Sequence, residues 1–131
     1  MPNWSAAFET GHPQIDDEHR EFFRQLKALR ETIEAGGGRE QVVELIRILQ
    51  KYATGHFCRE EAHMLRVACP AREANCAAHR EFAAKLEGWL NLLTLGGAPL
   101  SLTHDIQRES SAWIRAHIVN VDCELRHCTR P

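Results

Sequence analysis

The chain has 131 residues, 44% of them hydrophobic and 26% charged, which suits one globular domain over residues 1–131 with a single buried core. A formal charge of −2 and a pI near 6.4, with Lys and Arg scattered among carboxylates, provide no basic field for nucleic acid. No apolar run reaches the roughly 18 residues of a membrane span, and the start Met1-Pro2-Asn3-Trp4 lacks a basic stretch followed by an apolar one, so a soluble, cytoplasmic protein with no membrane partner is expected.

Glycine-rich breaks at Gly36-Gly37-Gly38 and Gly96-Gly97-Ala98-Pro99, and a third break at Cys69-Pro70, leave a short N-terminal arm and four segments of helical length. The first, about Asp16 to Ala35, lines up Phe22, Phe23, Leu26, Leu29 and Ile33, and His19 continues that face one turn earlier. The second, about Arg39 to Arg66, carries Val42, Leu45, Ile46, Leu49 and Ala53, then His56, Glu60, His63 and Met64, and finally Val67 along its inward stripe. Its buried face thus changes from aliphatic to ligating halfway along. The third, about Ala71 to Leu95, runs His79, Phe82, Leu86, Trp89 or Leu90, and Leu93. The fourth, about Leu102 to Glu124 behind the candidate N-cap Ser101, aligns Ile106, Ser110, Trp113, His117 and Val121. Runs such as Val42-Val43 lie inside helical patterns, and no hairpin signal appears. Short connections make consecutive helices antiparallel, which predicts an all-α, up-down-up-down four-helix bundle.

That topology tests the histidines. His19 opens the first helix, His56 and Glu60 lie near the end of the second, His79 near the start of the third and His117 near the end of the fourth, so all fall at one end of the bundle. Core histidines placed independently would not share a level, and a common metal site explains why these do. His56, Glu60 and His63 follow i, i+4, i+7 spacing, and at about 100° per residue Glu60 and His63 point within roughly 40° of His56. Imidazoles and a carboxylate on one line are donors suited to a redox-active iron pair. The five cysteines, Cys58, Cys69, Cys76, Cys123 and Cys128, form no C-x-x-C pair and read as reduced thiols. A zinc site from Cys123, His127 and Cys128 is the competing use, with a spacing that matches no common structural site.

Trp4, Gly11-His12, Ile15-Asp16-Asp17-Glu18-His19, His56-Phe57-Cys58-Arg59-Glu60-Glu61-Ala62-His63-Met64, His79, and Trp113-Ile114-Arg115-Ala116-His117-Ile118 followed by Asp122 together resemble the bacterial hemerythrins over nearly the whole chain. The resemblance implies a four-helix bundle holding two non-heme Fe ions, bridged by an oxo or hydroxo group and two carboxylates, with reversible binding of dioxygen at one iron. Position by position it implies that His19 and His56 ligate the open iron, Glu60 and Asp122 bridge, and His79 and His117 ligate the second iron. His117 and Asp122 are five residues apart, roughly 140° around a straight helix, so sharing a metal requires the helix to bend, tighten or end near Asn120.

One ligand of the family's pattern is absent: the histidine expected four residues before His79 is Asn75, a weak donor to iron. Glu60-x-x-His63 has the spacing of ferritin-like di-iron bundles, and His63 is therefore expected to replace the lost imidazole. The bland alternative leaves His63 as an incidental inward histidine near Asn75. Phe22, Phe57, Trp113, Ile114 and Ile118 flank the ligands and, by the same resemblance, wall the oxygen pocket, where apolar surroundings would exclude the water and protons that turn a ferrous dioxygen adduct into oxidised iron and peroxide. His12 reads as a loop residue, His104 as a surface residue and His127 as part of the tail. Asp16, Glu18 and Glu61 read as cap or solvated carboxylates, with Asp16 also able to accept from a histidine N–H.

The functional expectation is an oxygen-binding protein that stores, carries or senses dioxygen, with an oxygen-consuming enzyme or a signalling protein as partner. The rival is a di-iron oxidase, peroxidase or ferroxidase, and a third reading is a one-metal or metal-free interaction module. Histidine outnumbers carboxylate among the candidate ligands, which suits a binder better than the carboxylate-rich sites that activate oxygen.

Overall fold

The computed structural model describes residues 10, 12–96 and 100–120, without the side chains of residues 100, 119 and 120. Four helices account for nearly all of it: α1 (Pro13–Glu34), α2 (Arg39–Arg66), α3 (Arg72–Gly96) and α4 (Leu100–Asn120). They form an antiparallel four-helix bundle in which α2 packs between α1 and α3, and α4 closes against α1 and α3. No helix among the described residues is long and apolar enough to cross a membrane.

The ends of the helices follow their local chemistry. His12 is the N-cap of α1, with Nδ1 accepting from the Ile15 N–H at 3.2 Å, and Pro13 fills a first-turn position where a missing N–H costs nothing. Asp16 is buried under this turn and accepts from both the amide and the hydroxyl of Thr10 at 2.8 Å. It anchors the entry to α1 rather than a histidine ring. Between α1 and α2, Gly36 takes a positive φ of 79°, and a Cβ on Gly37 would lie 2.5 Å from Thr32 Cγ2, so the turn requires glycine at both places. Helix α4 begins at Leu100, which puts Ser101 inside its first turn and not at the cap.

The main core lies along the bundle axis. Leu26, Val42, Ile46, Phe82, Leu93 and Ile106 are 0% exposed and belong to one contiguous apolar cluster. A second small cluster, Ile15, Met64 and Cys69 packed with Val67 and Ala71, closes the opposite end. The layer between the two is polar. Helix α2 shows how the phase of a helix decides this. Taking about 100° per residue, its buried residues Val42, Val43, Ile46, Leu49, Ala53, His56, Phe57, Glu60 and Met64 cluster around a direction roughly 60° past His56. Leu45, Tyr52 and His63 share the direction about 20–40° on the other side of His56, and all three are only half-buried.

Candidate metal centre

Glu60 is the hub of the polar layer. It is 0% exposed, and each of its carboxylate oxygens meets different helices. Oε2 lies 3.1 Å from His19 Nε2 of α1 and 3.2 Å from His56 Nε2, one turn back on α2. Oε1 lies 3.1 Å from His79 Nε2 and accepts from Asn75 Nδ2 at 2.6 Å, both on α3. His117 of α4 joins the second side, its ring centroid 4.9 Å from that of His79. Two donor sets therefore share one carboxylate: His19, His56 and Glu60 in one, Glu60, His79 and His117 in the other, with the ligating atoms of each set within 4.8 Å of one another.

Burial alone would raise the Glu60 carboxyl. The hydrogen bonds from His19, His56 and His79 outweigh it and hold the group well below the ordinary carboxylate range. Burial likewise pulls His56 down, but the bonds to Glu18 and Glu60 win and raise it above its usual value. The core thus holds a carboxylate ringed by imidazoles, the arrangement that a bound cation would take over from protons.

Carboxylates on the rim fix the rings. His56 Nδ1 lies 2.7 Å from Glu18 Oε1, and His79 Nδ1 lies 2.7 Å from Glu61 Oε2. A carboxylate has only acceptors to offer, so in each pair the ring N–H donates and Nε2 is aimed at the cluster. Glu18 is itself held by Arg59 Nε, and this pair of bonds lowers its carboxyl below the usual value despite partial burial. Sequence reasoning missed both roles. The available signal was that each is the immediate chain neighbour of a ligand, Glu18 of His19 and Glu61 of Glu60, about 100° around the helix and so directed at the flanking helix.

Three of the aromatic residues expected around the ligands touch the histidine rings. Phe57 stacks on His79 with centroids 3.8 Å apart and planes 9° apart, and Trp113 stacks on His117 at 4.5 Å and 13°. Phe22 meets His56 edge-on at 5.1 Å, and Ile114 and Ile118 are each 2% exposed. His19, His56, His79 and His117 are all buried.

One expectation is corrected. His63 does not join the ligand cluster: its ring packs against His12 with centroids 4.2 Å apart, and Nδ1 faces Arg66 at 3.4 Å. The reason is the phase of α2, which turns Met64 and not His63 inward beyond Glu60. Asn75 instead stands at the heart of the cluster, 0% exposed, with Nδ2 bonded to Glu60 and to Met64 Sδ at 3.0 Å. Asp122, Trp4, Gly11 and the Cys123, His127, Cys128 group lie outside the described residues.

Five residues from four helices, centred on one buried carboxylate, offer nitrogen and oxygen donors that could hold metal, and their chemistry fits iron. The chain belongs to the hemerythrin family: residues 10–125 match the hemerythrin HHE cation binding domain. It is similar to a bacteriohemerythrin of Clostridium acetobutylicum, 24% identical over 92% of this chain and 95% of that one. It is also similar to a hemerythrin of Siphonosoma cumanense, 26% identical over 94% of this chain and 89% of the relative. Among solved structures, a wild-type hemerythrin crystal structure superposes with a TM-score of 0.84 at 24% identity, covering 98% of this chain and 97% of the other, which supports the bundle fold. Non-heme iron is the metal of this family.

Proposed function

We propose that this protein binds dioxygen reversibly at two non-heme irons, one held by His19 and His56 and the other by His79 and His117, with Glu60 shared between them. The observation that carries the reading is the Glu60 carboxylate, whose two oxygens face two separate pairs of imidazoles. By resemblance, Asp122 would provide a second carboxylate to the pair, along with an oxo or hydroxo group. When bound, the irons supply the electrons that dioxygen takes up and returns.

The rest of the chemistry belongs to the chain. Glu18 and Glu61 hold the His56 and His79 rings with Nε2 inward, so the donors are set before metal arrives and little reorganisation follows. Phe22, Phe57, Trp113, Ile114 and Ile118 keep bulk water and its protons from the centre, which slows loss of the ferrous state. Four imidazoles against one carboxylate among the described donors favour binding over oxygen activation. Storage, transport and sensing all use this property, the last two with an oxygen-consuming enzyme or a signalling protein as recipient.

The test is metal content with the visible spectrum through cycles of anaerobic reduction and oxygen exposure. Two irons per chain and colour that appears with oxygen and fades on its removal support the reading. Turnover with peroxide, or colour that persists until reductant is added, would replace it with the oxidase, peroxidase or ferroxidase alternative.

A further inference from the structure

We propose that Asn75 is itself a ligand of the second ion, through its side-chain carbonyl, Oδ1. The proposal rests on the di-iron reading above. Asn75 sits 0% exposed against the shared carboxylate, with Nδ2 donating to Glu60 Oε1 at 2.6 Å and to Met64 Sδ at 3.0 Å. Its Oδ1 is buried with no hydrogen-bond partner among the described residues. This orientation follows from charge: a carboxylate accepts only, so an amide beside it must turn its NH2 group inward.

A cation on Glu60 Oε1 reverses that preference. A donor hydrogen aimed into the site is then repelled, and an oxygen dipole in the same place is attracted. The change requires only a half-turn about the terminal torsion of Asn75, which is broad and roughly twofold. It gives up one charged hydrogen bond and one weak contact to sulfur, and it places Oδ1 where Nδ2 now lies. Donor atoms on neighbouring positions of one ion, with bonds of roughly 2.0–2.2 Å, sit about 3 Å apart. His79 Nε2 stands 3.1 Å from Glu60 Oε1 and the Asn75 amide 2.6 Å from it, so both are near neighbours of the oxygen that the second ion would share. Helix geometry supports it too, because Asn75 is one turn before His79 on the same inward face of α3.

A role limited to holding Glu60 by hydrogen bonding makes a different forecast for Asn75→Asp. In that case Asn75→Leu weakens binding only by loosening Glu60, and Asn75→Asp, which cannot donate to Glu60, would not recover it. Anaerobic titration of the metal-free chain with Fe(II), followed by calorimetry, separates the two, with circular dichroism to confirm helical folding of each variant. The ligand role predicts two equivalents for the unaltered chain, a second step weakened at least tenfold in Asn75→Leu, and recovery of that step in Asn75→Asp and Asn75→His. Asn75→Asp is decisive because a carboxylate can ligate but cannot donate to Glu60. His63→Leu should leave both steps as they are. Two equivalents with an unaltered second step in Asn75→Leu, or failure of Asn75→Asp to recover it, overturns the assignment of Asn75 and leaves the di-iron reading standing. Uptake of one equivalent or none by the unaltered chain overturns that reading itself.

Discussion

At the end of the bundle where Leu26, Ile33, Ile46, Leu86 and Leu93 meet, the buried side chains are almost all apolar, and each apolar one removes surface from water to a gain of about 1.5–3 kcal/mol. A few turns along the same helices, Glu60, Asn75 and four imidazoles are buried instead. Taking such groups out of water costs several kcal/mol for each charge, and their mutual hydrogen bonds offset the cost without turning it into a clear surplus. The aliphatic end therefore carries the stability of the fold. The polar end draws on that stability to keep donors together that would separate in solution, and a bound cation recovers it, since whatever binds only the folded state stabilises that state.

The sharpest way to break the comparison is Glu60→Gln. Because both donor sets share this carboxylate, uptake of both ions should be lost, while the helical circular dichroism of the metal-free chain persists. Loss of the fold together with the metal would show that the polar end is structural after all. Next in size, Leu86→Ala, at a site 1% exposed, should lower the stability of the metal-free chain by about 2–5 kcal/mol in urea denaturation. Metal stoichiometry of the fraction that remains folded should not change. A smaller effect is expected from Glu61→Ala, which frees the His79 ring: metal affinity in a competition titration should fall about 10- to 100-fold. Its denaturation midpoint should move little, as Glu61 is partly exposed.

The smallest effect is the pH dependence of the metal-free chain. Glu60, held below its ordinary 4.5, contributes stability that is complete above that value and lost as the pH falls through the depressed one. His56, held above its ordinary 6.5, contributes stability that is complete below 6.5 and lost as the pH rises through the elevated one. Denaturation midpoints should therefore be highest from about pH 4.5 to 6.5 and decline on both sides. Loaded with metal, which requires neutral imidazole, the chain should keep its stability above that window and lose metal below it. A metal-free profile that is flat across pH 4–8 would remove the ionic account of the polar end.

What the sequence determined by itself is what periodicity and connection length control. The 3.6-residue repeat assigns Phe22, Leu26, Leu86 and Ile106 to the core, and short turns with Gly36 and Gly37 make neighbours antiparallel. His19, His56, Glu60, His79 and His117 then fall at one level without knowledge of any contact. The inward position of Asn75, one turn before His79, was legible in the same way. The tertiary structure alone decided what lies between helices. His63 was expected at the ions because it is one turn beyond Glu60 in a Glu-x-x-His spacing, yet it is about 20° from His56 on the side away from the buried face of α2. A small phase difference there sends His63 to His12 and Arg66 and brings Met64 beneath Asn75. Glu18 and Glu61 looked like solvated carboxylates for a related reason. Their partners, His56 and His79, belong to other helices, 38 and 18 residues away, and no pattern along one helix reports the rotation of the next.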